Sequence, residues 1–463
     1  TSSWEADELS TLDSLASSVL KSAEKRGASQ AEAFIIDSHI RSIYIEDSVP
    51  RLADDKLERG LGVKACIHKQ VGFSSGVISN IKSTEEILSE ALSIAKTTKE
   101  DPDFQSLPSG GEVSGKVEDV FCEETAEITT EEIVAKAMTA VRTAEKNKGV
   151  KAPLGLLRLA KYTLQVSNSL GVRFHHKGTM VFLHFTAKAT RGANAGEGVE
   201  KVWSTKISSI DFEGMGTSIA EKALKTLEAD PFQGELKGIA VIDPVETAGL
   251  LDSVKFATSF EQVNKGRSPW IKKIGTQVAS REFTIVDDGT YPGGIRSAVA
   301  DDEGVRTTKK AIISDGVLKS YIYDSYNANI AGVEATGNGF RRGTRSIEGA
   351  FTSPAVCAYS NMTIRPGNKI RERIISQIDE GFLVERFASP EVNPITGGFG
   401  CEVRDATLIE GGQLTRHVKH ALLTGNMYEY LGNVVGVGND VKIVDDVILP
   451  TIAFSGATLV GQK

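Results

Sequence analysis

From Glu8 to Lys25 the residues Leu9, Leu12, Leu15, Ala16, Val19 and Ala23 recur three and four apart, which predicts an amphipathic helix ended by Gly27. The next stretch, Ala31 to Glu46, alternates with a rough period of two, and Gly60 to Ile78 reads as two more strands separated by Lys69-Gln70. A small sheet follows a helix. Ser83 with Glu86 three residues on is a capping-box pattern ahead of Ile87, Leu88, Ala91, Leu92 and Ala95, so a second helix is expected to end before Pro102. Thr129 and Glu132 repeat the signature for a helix reaching about Lys146. Lys161 to Lys188 returns to alternation, punctuated by Asn168-Ser169, Gly171 and Gly178, and a further helix is expected around Ser218 to Leu227. Beyond these, Gly238 to Ile242 reads as a strand and Val245 to Thr258 as a helix. The rest reads as short strands broken by glycine, with Asp315-Gly316, Gly411-Gly412 and Asn439-Asp440 as hairpin turns.

The pattern predicts an α+β fold: N-terminal helices on antiparallel sheet, then a C-terminal β-rich domain with glycine-rich turns. Proline, glycine and charge meet at Glu228 to Lys237, which places a boundary between domains 1–230 and 231–463, with a sub-boundary near the linker-like 107–116. A length of 463 residues suits two or three such domains. The balance of 53 basic against 61 acidic side chains, a net −8, argues against a nucleic-acid partner. Four scattered cysteines without a CxxC pair support neither a disulfide framework nor a thiolate zinc site. No apolar run is long enough to span a membrane and the first residues are acidic and polar, so a cytoplasmic protein is expected.

Candidate chemistry is sparse. None of the seven histidines lies between His184 and His417, and His417 and His420, three apart on an expected strand, would face opposite sides. There is no GxSxG elbow and no phosphate loop, and the Gly337-Asn338-Gly339 run has one residue too many before Gly343 for a dinucleotide fingerprint. Asp287-Asp288-Gly289 and Asp301-Asp302-Glu303-Gly304 could hold a cation or could end strands in turns. Arg341, Arg342 and Arg345 sit among Gly337, Gly339 and Gly343. They suit peptide carboxylates or phosphates, and equally a solvated loop or ion pairs with the aspartate clusters.

The run from Gln277 to Asn329, with VDDGT, DDEG and DGVLKSY, followed by TGNG, arginines, Asn361 and the Pro366-Gly367 turn, resembles the TldD/PmbA family, also called the modulator-of-gyrase or U62 peptidase family. The pieces NPITGG, GNM and VGND near the C-terminus are similar to its PmbA (TldE) branch. The resemblance implies a zinc site in the TldD branch, built from HExxxH on the helix preceding the QVAS segment, with a cysteine near the C-terminus. Counted back from Gln277, those positions here hold Leu251, Asp252 and Phe256, and Val444 to Lys463 contains no cysteine. The resemblance therefore implies a metal-free, non-catalytic subunit without a cofactor of its own. Zinc is expected in a TldD-like partner with which this chain forms a heterodimer around a cleft for extended or unfolded peptides. Asn338, Arg341, Arg342 and Arg345 are the cleft candidates, and Asp287, Asp288, Gly289, Asp301, Asp302, Gly337 and Gly339 are the turn and structural motif. A homodimer remains allowed. Two alternatives stay open: a metallopeptidase in its own right with ligands such as Cys401, Glu402, His417 and His420, and a non-proteolytic interaction protein of a toxin or gyrase system.

Overall fold

In the computed structural model, which describes residues 3–341 and 347–461, the N-terminal alternation becomes one large sheet. Its order is Gln70–Val77, Val49–Ile67, Gln30–Glu46, Val150–Asn168 and Arg173–Arg191, with both Asn194–Ser204 and the short Glu112–Val113 pairing the last. All neighbours are antiparallel except Glu112–Val113.

Successive side chains of a strand point to opposite faces, and here both faces are covered. Ala33, Ile35, Leu61 and Val63 pack under the helices Ser3–Lys25 and Ile81–Thr97. Further along the same face, Ile43, Ile45, Leu157 and Leu183 pack under Thr130–Ala144 and Phe212–Glu228. Phe34, Ile36, Ile40 and Tyr162 look the other way, into a core shared with the C-terminal half. Double coverage explains why Gln30–Glu46 is buried almost throughout.

The C-terminal half closes a ring of strands. Glu380–Phe387 pairs Glu235–Ile242 on one side and Gly398–Glu410 on the other, and Ile452–Val460 and Ala421–Asn426 complete the circuit. Closure leaves none of these strands as a fully bare edge. Against it lies a six-stranded sheet ordered Val317–Leu318, Lys309–Ser314, Ile285–Asp288, Met362–Ile364, Val447–Leu449 and Lys442–Val444. The short strand Asp230–Pro231 pairs Val418 and Lys419 of Gln413–Lys419, which itself pairs Gly398–Glu410 outside the circuit.

Local departures from the expected elements have local causes. The second helix is capped by Asn80, whose side chain accepts from Ser83 N, so Ser83 is the third helical residue and not the cap. Gly178 does not break its strand: the Tyr162 ring lies over it within Arg173–Arg191, where a side chain would collide. The helix expected over Val245 to Thr258 is two, Pro244–Leu250 and Asp252–Thr258, joined at Leu251. Asp315-Gly316 and Gly411-Gly412 take the paired positive φ of tight hairpins. Asn439-Asp440 does not make a hairpin, because Asp440 is drawn to Thr451, accepting from its N at 3.1 Å and its Oγ1 at 2.6 Å. That hairpin turns instead at Asp445-Asp446. Among the described residues no helix is long and apolar enough to cross a membrane.

Candidate functional site

The two short helices after the ring's first strand form one wall of a cleft. Asp243 caps the first, accepting from Val245 N at 2.9 Å, and Pro244 supplies the fixed φ favoured at a helix start. Leu251 and Val254 turn into the core, so Asp252 and Lys255 lie on the outer side. Lys255 Nζ donates to Asp446 Oδ1 at 2.6 Å and stands 3.0 Å from Asp252 Oδ1. Arg296 Nη1 reaches the other oxygen of Asp446 at 3.0 Å and the Tyr359 carbonyl at 3.0 Å. Burial works to raise the pKa of the Asp446 carboxyl, but the two cations outweigh it and hold it below the usual 3.8. Burial likewise opposes charge on Lys255, and Asp446 and Asp252 outweigh it, raising the ammonium above its ordinary range. Lys255 is a fixed cation at the base of a cavity of about 350 Å³.

An adjoining hollow of about 140 Å³ shares Lys201, Val245, Glu246, Phe387 and Ala388 with this cavity. Glu246 is buried there, with Oε2 accepting from Phe387 N at 2.9 Å. Burial, with Asp243 adding to it, pushes its pKa up from 4.5 to about 7. Because the folded value is the higher one, the carboxyl favours folding fully below about pH 4.5, and that contribution is lost as pH rises towards 7. Glu246→Gln, which keeps the acceptor without the charge, is therefore expected to be more stable than the parent at pH 8 by on the order of 2–3 kcal/mol and to lose that advantage by pH 5. Denaturation midpoints at the two pH values test this, and equal differences at both would contradict it.

The aspartate motifs are braces inside the fold. Asp287 is fully buried and accepts from Ser360 N at 2.9 Å, Ser360 Oγ at 2.6 Å and Asn338 Nδ2 at 2.7 Å, with Lys310 Nζ at 2.8 Å. Asp288 holds Thr290 and pairs with Lys309 at 3.2 Å, just before Gly289. Asp301 accepts from the backbone N of Glu303, Val305 and Gly339 at 2.8–3.0 Å, while Asp302 takes Arg341 N at 2.7 Å. Burial, aided by Glu303, still raises the Asp301 pKa well above its ordinary value. Gly337 takes a φ of +69°, and a side chain on Gly339 would overlap the Glu303 carboxyl. Here aspartate and glycine serve to pin the TGNG strand against two loops.

The cleft candidates do not gather. Arg341 is not on a solvated loop: its side chain is wholly buried, paired with an equally buried Glu32, and its guanidinium lies 4.8 Å over the Phe34 ring. Asn338 is buried on Asp287 and the Ala358 carbonyl. Neither reaches a cleft as expected from sequence, because the TGNG strand runs through the seam between the halves. Arg342 and Arg345 lie outside the described residues. Cys401 and Glu402, adjacent on a strand, face opposite ways, and burial raises the Cys401 thiol pKa. His417 bonds Thr407 Oγ1 at 2.9 Å, and His420 stands 3.8 Å from Glu402. Among the described residues no three His, Cys, Asp or Glu side chains converge as a metal would require.

Two sequence models of one family match the chain: the PmbA/TldA metallopeptidase central domain over residues 123–227 and the C-terminal domain over 237–461. The chain belongs to the TldD/PmbA family. A metalloprotease of Methanocaldococcus jannaschii is 28% identical over 428 residues, covering 87% of this chain and 90% of that protein. A metalloprotease TldD homologue of Haemophilus influenzae is 33% identical over 170 residues, covering 37% and 34%. The crystal structure of TldE from Thermococcus kodakarensis superposes with a TM-score of 0.88 at 24% identity, covering 96% of this chain and 100% of that one, which shows a common fold.

The zinc ligands that the sequence resemblance implies would fall on the helix pair 244–258. The residues present do not fit the ion. Leu251 and Phe256 have no lone pair to offer, Asp252 is engaged by Lys255, and Lys255 brings a positive charge to the same segment, which would repel a dication. Lys255 lies inside the segment 251–256 that sequence reading placed at the motif, whereas Asp446, Arg296 and Glu246 gave no such signal. Asp446 lies 191 residues from Lys255, and no local spacing signals such a pair.

Proposed function

We propose that this chain is the metal-free, non-catalytic subunit of a TldD/TldE-type peptidase pair, on the TldE side. In this reading it completes a cleft in which a zinc-bearing partner cleaves extended or unfolded peptides. One observation supports the reading: where the resemblance places HExxxH stand Leu251, Asp252 and Phe256, and Lys255 within that segment is held charged by Asp446 and Asp252. A lysine held charged there suits electrostatic anchoring of a carboxylate or backbone carbonyl and opposes metal capture. Membership of a metallopeptidase family and the fold shared with TldE support the same assignment.

Co-expression with a homologue that carries HExxxH is expected to yield a complex that co-elutes and cleaves an unstructured peptide, with zinc bound only through the partner. This chain alone is expected to be inert. Stoichiometric zinc and cleavage by the chain alone would overturn the proposal in favour of a self-sufficient metallopeptidase. A stable complex with no cleavage of any peptide would favour a non-proteolytic interaction protein.

A further inference from the structure

A cavity of about 380 Å³ lies away from the cleft, between the N-terminal sheet, the 101–107 loop and the helix Ser325–Ala331. That volume falls at the lower end of the range for small-molecule sites, roughly 300–1,000 Å³. Its apolar wall is made by Val71, Phe73, Phe104, Leu107 and Val356. Its polar groups are opposite in charge and incompletely used.

Lys64 lines the cavity with a side chain only 14% exposed. Its ammonium stands 3.9 Å from Glu32 on one side and 3.9 Å from Glu303 on the other, too far to donate to either. Among the described residues it has no hydrogen-bond acceptor. Asp324 lines the same cavity and is nearly buried. Its Oδ1 takes both bonds from Asn327, at 2.7 and 2.8 Å, and among the described residues nothing donates to Oδ2. Glu303, by contrast, is satisfied by Ser325 N at 2.8 Å and Ser325 Oγ at 2.6 Å. Burial and then Glu303 push the Asp324 pKa up to about 6, against the bonds from Asn327 and the charge of Lys64.

A simple anion at Lys64 would meet the negative charge of Glu303 and Asp324. A simple cation at Asp324 would leave Lys64 without an acceptor. A ligand carrying both charges satisfies both. We propose that this cavity is a binding site for a small zwitterion with an apolar side chain, a free amino acid or dipeptide, its carboxylate on Lys64, its ammonium on Asp324 and its side chain against Phe73 and Phe104.

The site is separate from the cleft, so its test is independent of pairing and of cleavage. Calorimetric titration of the full chain compares leucine and Leu-Leu with leucinamide, which lacks the carboxylate, and N-acetyl-leucine, which lacks the ammonium. Leucine or Leu-Leu is expected to bind, and each capped analogue to bind on the order of tenfold more weakly. Lys64→Met should abolish the preference for leucine over leucinamide, and Asp324→Asn the preference over N-acetyl-leucine. Val356 is 53% exposed, so Val356→Trp should block the cavity without unfolding the chain, which keeps the test open if a charge variant misfolds. No binding of leucine or Leu-Leu at millimolar concentration overturns the proposal. So does equal binding of all four compounds, or leucine binding that is untouched by Lys64→Met and Val356→Trp.

Discussion

Replacing Arg341 by alanine is expected to destabilise the full chain by about 3–5 kcal/mol, the cost of breaking a buried ion pair and leaving Glu32 with only Lys64, 3.9 Å away. Neither side chain of the Arg341–Glu32 pair is accessible, and they join positions 309 residues apart across the seam of the two halves. The guanidinium also rests over Phe34 and Phe73, at 4.8 and 5.7 Å from the ring centres, so the loss includes packing as well as charge. Removing the stranded charge should recover part of the loss: Glu32→Gln in the Arg341→Ala background is expected to be more stable than Arg341→Ala alone. Urea denaturation midpoints of the single and double variants measure both effects. A loss below about 1 kcal/mol would mean that the pair is solvated and would return Arg341 to the role of an exposed peptide contact.

The second large effect is expected at Asp446. Asp446→Ala leaves Lys255 with only the exposed Asp252 and takes from Arg296 its carboxylate, so a loss on the order of 3–5 kcal/mol is expected here too. The parent should show the same dependence as a function of acidity. Because the folded pKa of Asp446 lies below its unfolded value of 3.8, its stabilisation is present above about pH 4 and is lost as the pH falls through the folded value. Asp446→Ala should therefore flatten the acid limb of the stability profile below about pH 4. An unchanged acid limb would show that other carboxylates govern it. The two experiments also bear on function by different routes, since Arg341 staples the halves together whereas Asp446 orients a lysine that faces the cleft.

Much of the architecture was legible because local rules decide it. The spacing of Leu12, Ala16, Val19 and Ala23 on one helix face needs only the 3.6-residue period. The Thr129–Glu132 capping box forms as its residues predict, with Thr129 Oγ1 accepting from Glu132 N and the Glu132 carboxylate from Thr129 N. Strand ends were less legible, as at Gly178, because a ring from the neighbouring strand decides whether a glycine interrupts or is covered.

The candidate site divides in the same way. Sequence alone determined the family, the α+β class, the hairpins at Asp315-Gly316 and Gly411-Gly412, and the absence of histidine at the HExxxH positions, since each depends on residue identity or on neighbours a few positions apart. Only the tertiary structure decided that Arg341 is a buried staple, that Asp287 and Asp301 brace the TGNG strand, and that Lys255 is held in place by Asp446. The physical reason is desolvation. A charge taken out of water requires a partner, and which residue supplies it is set by the packing of segments up to 309 positions apart.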